Sequence, residues 1–158
     1  IKLIDELDQK NLDFECILLG KNKQKKSGYF DEFINRFSHR ILHAGYCKTF
    51  DEYASLLWKA DICPVTSIQD FFGISIAEAV YCNTYPILPN RLAYPEIYKK
   101  EDNEDLFYTD EKNLTDKVEQ LIKENNFKSI GVPKDLIQVF NWPDMIEEYD
   151  RLLTSFLK

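Results

Sequence analysis

Amphipathic stretches and short apolar runs alternate along this chain, and that alternation constrains its fold more than any other feature. The opening stretch I-K-L-I-D-E-L-D-Q-K (1–10) has helical spacing, and F-E-C-I-L-L-G (14–20) is an apolar run ended by glycine. S-G-Y-F-D-E-F-I-N-R-F (27–37) places its aromatics at helical spacing, and R-I-L-H-A-G-Y (40–46) is again a strand pattern ending at glycine. A helix over 50–60 follows, with Thr49 or Asp51 as its cap, then a strand over 61–67, a helix over 73–82 and a strand over 85–89. A short helix over 94–98 with proline at its first position, a strand over 106–109, a helix over 111–125 and a terminal helix from Pro143 to Leu157 complete the order. Strand–helix–strand units joined by short loops predict an α/β fold, a doubly wound, Rossmann-like parallel sheet with helices on both faces. Domains of this kind start with a strand that becomes central in the sheet. This chain starts at the helix expected after it. The first strand is therefore expected to be missing, and the gap narrowed, filled by another segment or filled by another molecule, self-association included.

A length of 158 residues suffices for one domain with a sizeable core and falls short of two. With 44% hydrophobic and 30% charged residues the chain reads as globular, and no apolar run approaches a membrane span. The opening helix is no signal peptide, so a cytoplasmic fragment of a longer protein is the expectation. A net charge of −7 offers no general attraction for a phosphate backbone. The K-N-K-Q-K-K patch (21–26) reads as a solvated loop. Cys16, Cys47, Cys63 and Cys82 form no C-x-x-C pair and are expected as free, mostly buried thiols. His39 and His43 are spaced H-x3-H with no second cluster to complete a zinc site, so no metal is expected.

The stretch D-F-F-G-I-S-I-A-E-A (70–79) carries the chemistry. In an open parallel sheet, ligands bind beyond the carboxyl ends of the strands, which makes 68–73 a ligand-facing loop. A helix opening at Gly73 presents unpaired N–H groups and a partial positive charge, and glycine lets an anion approach the backbone. Glu78, on a helix otherwise apolar or small, offers two acceptor oxygens side by side, which suits a vicinal diol. Asp70 has the reach to accept from hydroxyls of a second sugar. Two readings stay open on spacing alone: a pocket for a nucleoside diphosphate sugar, or a turn-forming aspartate and a glutamate that merely interrupts an apolar helix.

The same residues resemble retaining glycosyltransferases of the two-Rossmann (GT-B) architecture, group 1 or the fourth family in the usual classification. That signature is a carboxylate, seven residues, then glutamate, with Phe-Gly-Ile at the second to fourth positions after the first carboxylate. Here it reads Asp70, Phe72-Gly73-Ile74, Glu78. Asp70 departs from the usual glutamate. Asn83 departs from a glycine, although asparagine tolerates the left-handed conformation a helix end needs. The run F-F-G-I-S-I-A-E-A-V-Y-C-N-T-Y-P-I-L-P-N-R-L-A-Y-P-E-I is similar to the subgroup containing tRNA-queuosine mannosyltransferases.

The resemblance implies that this is the C-terminal, donor-binding domain over residues 1–158, with the N-terminal acceptor domain absent. Glu78 would hold the nucleotide ribose and Asp70 the transferred sugar, while the backbone of Phe72, Gly73 and Ile74 meets sugar and diphosphate. Asn90, Arg91 and Glu96 follow the strand 85–89 on the same edge, and His43 and Gly45 lie where relatives cradle the base. Arg91 also reads as a solvated side chain, Glu96 as a helix-start residue and His43 as a structural one. GDP-mannose is the donor suggested, as a substrate and with no cofactor or metal; tRNA would be met through the absent domain. The chain alone is expected to bind weakly and turn nothing over. A non-catalytic doubly wound interaction or regulatory module is the alternative, mildly favoured by the Asp70 and Asn83 departures.

Overall fold

The computed structural model describes residues 1–20, 28–125, 131–132 and 134–157. Along these the order is α1 (Lys2–Gln9), β1 (Cys16–Leu19), α2 (Tyr29–Arg36), β2 (Ile41–Gly45), α3 (Phe50–Lys59), β3 (Ile62–Pro64), α4 (Ile74–Tyr81), β4 (Tyr85–Pro89), α5 (Tyr94–Ile97), a 3-10 turn (Glu104–Leu106), β5 (Phe107–Tyr108), α6 (Glu111–Glu124), α7 (Asp135–Gln138) and α8 (Trp142–Ser155). All strand pairs are parallel. The alternation expected from sequence is present, and the chain is a mixed α/β domain consistent with the Rossmann-like type.

The sheet is divided in two. β1 pairs with β2, while β3, β4 and β5 form a three-stranded sheet with β4 in the middle. No strand joins β1 to β3 among the described residues, so the expected gap is there. Side chains from either side of it share one cluster: Leu19 of β1 and Cys63 of β3 both pack on the buried Leu57, Ala79 and Cys82, contributed by α3 and α4. Helix α1 reaches α6 of the larger sheet through Lys2–Glu111 at 2.5 Å and a Lys10–Glu119 pair. Its Leu7 enters the main core beside Val80, Ile87, Leu88, Leu114 and Val118.

Burial follows from this topology. Every residue of β4 is buried, as a strand flanked on both edges and covered on both faces must be. β1 and β3 are equally apolar in sequence yet only half-buried along their lengths, because each borders the break.

Several boundaries move. β3 ends at Pro64 instead of 67, although Val65 N–H still donates to the Ile87 carbonyl at 2.9 Å. Tyr94, not Pro95, is the first residue of α5. The 3-10 turn at Glu104–Leu106 and the short helix α7 have no counterpart in the sequence pattern. Cys47 and Cys82 are buried and Cys16 and Cys63 half-buried, all four as free thiols. Burial pushes the Cys16 and Cys63 thiols up to about 11, which keeps them protonated and unreactive at neutral pH. The basic patch 21–26 lies outside the described residues. Among those residues no helix is long and apolar enough to cross a membrane.

Candidate functional site

Parallel strands place the loops after β3 and β4 on one edge, and the side chains of those loops tie them together. Asp70 lies in the loop after β3. Its Oδ1 accepts from the Gly73 N–H at 2.8 Å, and its Oδ2 accepts from the Tyr94 hydroxyl at 2.9 Å. Tyr94, from α5 beyond β4, is 1% exposed, and its ring lies directly beneath Gly73. Gly73 adopts φ +77°, ψ +45°, the left-handed conformation, and a Cβ there would sit 2.9 Å from Tyr94 Cε1. Backbone sign and ring contact therefore both demand glycine.

The turn at Gly73 opens α4. The N–H groups of Ile76 and Ala77 both return to the Gly73 carbonyl, at 2.9 and 3.0 Å. Those of Ile74 and Ser75 have no partner among the described residues, which leaves two unpaired donors at the start of the helix. Glu78 follows one turn inside. The Tyr53 hydroxyl, on α3, donates to its Oε2 at 2.6 Å, and Oε1 is left without a partner among the described residues.

The structure thus supplies each carboxylate with a tyrosine that sequence reasoning missed. Burial first, and then the Asp70 carboxylate, push the Tyr94 phenol up to about 12. Burial, followed by Glu78, drives Tyr53 still further up. Both hydroxyls therefore stay protonated as donors. Tyr94 stands in the Y-P-E-I stretch already singled out; Tyr53 is one aromatic of a helical pattern and carried no signal of its own.

The remaining sequence candidates divide by position. Phe72 is half-buried and meets Phe140 edge-on at 4.8 Å, so its side chain serves packing. Ile74 is exposed on the first turn of α4. Asn90 is exposed, with its N–H on the Tyr108 carbonyl at 3.2 Å. Arg91 is exposed but not free: its guanidinium donates to the Ser67 carbonyl through Nε at 3.3 Å and Nη2 at 2.8 Å, clasping the two loops. Glu96 is exposed on α5. His43 and Gly45 belong to β2, in the other sheet. His43 Nε2 lies 3.8 Å from Cys47 Sγ, and the Gly45 carbonyl accepts from the Gly20 N–H at 3.0 Å. No hydrogen bond among the described residues joins that pair to the Asp70–Gly73–Tyr94 cluster. Among them, too, no group of three or more His, Cys, Asp or Glu gathers as a metal site would.

These two carboxylates and the open helix terminus at the carboxyl edge of a parallel sheet lie inside the stretch that comparison by sequence matches. The family model described as glycosyl transferases group 1 matches residues 1–124. The chain belongs to that family. The match takes in β1 to β5 and the whole Asp70–Glu78 segment. The chain is also 33% identical over 97 residues to the tRNA-queuosine alpha-mannosyltransferase of Drosophila melanogaster, a stretch covering 61% of this chain and 26% of that protein. No solved structure matches. Asn83 meets its departure from the family glycine in the way that asparagine permits: it adopts φ +70° just past the end of α4.

Proposed function

We propose that this chain is the donor-binding half of a retaining glycosyltransferase and that it seats a nucleoside diphosphate sugar along the carboxyl edge of β3 and β4. One observation carries the reading. Glu78, inside the stretch that the family model matches, stands one turn behind an open helix N-terminus with one oxygen held by Tyr53 and the other unengaged among the described residues. In that seat the diphosphate rests on the Ile74 and Ser75 N–H groups, where a helix end favours an anion by about 0.3–1 kcal/mol, more when partly buried. Glu78 accepts from the ribose diol, each bond to the charged group contributing about 1.5–3 kcal/mol. Asp70 keeps a second lone pair on each oxygen for hydroxyls of the transferred sugar. Arg91 donates through Nε and Nη2 to the Ser67 carbonyl and so holds the two loops, while its charge stays on the same edge to meet phosphate.

Mannose as the transferred sugar and queuosine-containing tRNA as acceptor are taken from the name of the fly relative, of which the aligned stretch covers about a quarter, and GDP is the nucleotide suggested by the likeness to that subgroup. Such an acceptor would be met outside this chain, and the chain alone turns nothing over.

The test is ligand-observed NMR on the chain with GDP, UDP and ADP, each with and without its sugar, repeated on Glu78→Ala. GDP signals that broaden with the unsubstituted chain and not with the variant support the reading. Equal GDP binding by a folded Glu78→Ala variant rejects the ribose role. A second reading, a non-catalytic doubly wound module, is favoured by one observation: both Asp70 oxygens already hold partners within the chain. A chain that binds none of the three nucleotides shows that residues 70–78 do not form the site alone, and the same titration then goes to the full-length protein.

A further inference from the structure

We propose that Tyr53 is a positioning residue for nucleotide recognition, setting the Glu78 carboxylate so that its free oxygen meets the ribose diol; this rests on the donor-site reading above. No sequence pattern pointed to this residue. What points to it is how the structure delivers its hydroxyl.

Tyr53 lies on α3, a helix fixed at both ends. At its start the Thr49 hydroxyl accepts from the Glu52 N–H at 3.1 Å, while the Glu52 carboxylate accepts from the Lys48 N–H at 2.8 Å. This is a close variant of the reciprocal cap that stops a first turn fraying. At its end the buried Thr84 hydroxyl lies 3.1 Å from both the Leu57 and the Ala60 carbonyls, tying α3 to the start of β4. Between these anchors Leu57 packs with Ala79 and Cys82, so that α3 and α4 share a buried contact. The Tyr53 ring is half-buried, rests against that cluster and leans on Phe50 at 6.3 Å.

A phenol delivered in this way is suited to a task that a basic residue would spoil. A lysine or arginine at this position would neutralise Glu78 and compete for both its oxygens. A tyrosine hydroxyl has a single proton to give. It takes one lone pair on Oε2, restricts rotation of the carboxylate and leaves the charge in place for the ribose. Because a carboxylate free to turn must be ordered when ligand arrives, prior ordering improves affinity.

The experiment is a binding cycle on the full chain. GDP and 2′,3′-dideoxy-GDP are titrated against the unsubstituted chain, Tyr53→Phe, Glu78→Ala and the double variant, with thermal melts to show that each folds. The unsubstituted chain should prefer GDP by about tenfold or more, the worth of a hydrogen bond to a charged group. Tyr53→Phe should weaken GDP binding by about fivefold while leaving dideoxy-GDP nearly unchanged, and should add nothing in the Glu78→Ala background. Equal weakening of both nucleotides, or an effect of Tyr53→Phe that persists without Glu78, overturns the proposal and leaves Tyr53 as packing alone. If Glu78→Ala loses GDP binding while Tyr53→Phe keeps full preference for the diol, this inference fails and the donor site stands. If Glu78→Ala binds GDP normally, both fail. Should Tyr53→Phe not fold, the Tyr53 ring carbon bearing the hydroxyl is followed by 13C NMR in the unsubstituted chain. A shift with GDP that dideoxy-GDP does not reproduce supports the proposal, and identical shifts with the two overturn it.

Discussion

Gly73 shows how much one position in this site has to satisfy. An L-residue in its left-handed conformation costs roughly 1–2 kcal/mol, and a methyl group would also strike the Tyr94 ring at 2.9 Å. That ring is 1% exposed and bonded to Asp70, so it is poorly placed to retreat. Gly73→Ala is therefore expected to lose ~2 kcal/mol or more of stability. Gly28→Ala is expected to stay within about 0.5 kcal/mol, because Gly28 has φ −60° and an added methyl group there would meet nothing within 4 Å among the described residues. Urea denaturation of the two variants side by side checks this, and equal losses would refute the steric account. At this scale the sequence was legible where chemistry is written in residue type. Asp70, Gly73 and Glu78 could be named from it because they match the signature of the family the chain resembles; their spacing alone left a turn-forming aspartate and a glutamate interrupting an apolar helix equally open. Tyr53 and Tyr94 could not be named from it as the partners of those carboxylates. A tyrosine 25 residues from one of them and another 24 residues from the other meet them only after the chain has folded.

Elements with a period, an apolar run or a proline signal were readable, the four-residue α5 among them, and α7 with none of these was not. The spacing predicts α3 over 50–60 with Thr49 or Asp51 as its cap; it spans Phe50–Lys59 and Thr49 is the cap. Replacing that side chain by alanine should cost ~1 kcal/mol, and because α3 carries Tyr53 it should also weaken GDP binding. A Thr49→Ser variant, which keeps the acceptor oxygen, should retain both properties, measured by urea melts and GDP titration. The short helix α7 spans four residues and shows too little of a helical period to be recognised. Helix α8 illustrates a different limit. Its amphipathic pattern predicts a helix, and Trp142–Ser155 is one, yet it has no buried residue, and Trp142, Leu153 and Phe156 remain exposed. Periodicity specifies that a helix forms and which face is apolar. What lies against that face is a matter of other segments.

Over the whole molecule the phenols form a common set. Tyr53, Tyr85, Tyr94, Tyr98 and Tyr108 are all shifted up, in each case chiefly by burial, and Tyr94 reaches about 12 against an ordinary value near 10. A raised folded-state value means that the fold favours the protonated phenol. This contribution is complete below the unfolded value and is lost as pH rises through the folded one. Stability should therefore hold to about pH 10 and then fall steeply towards pH 12. Urea melts across that range, with tyrosinate absorbance followed in parallel, provide the check, and Tyr94→Phe should make the decline shallower. Titration of all nine tyrosines near pH 10 in the folded chain would contradict it. The amino-acid order alone determined the class of this fold, the carboxyl edge on which a ligand is expected and the two carboxylates that lie there. Each of these is written locally, in the spacing of apolar residues and in the side chains beside a glycine. Only the tertiary structure decided that no other described segment fills the expected gap between β1 and β3, that Arg91 clasps two loops through Ser67, and that a tyrosine from a separate helix is hydrogen-bonded to each carboxylate. These depend on where separate segments come to rest, and distance through space is not recorded in the period of a strand or a helix.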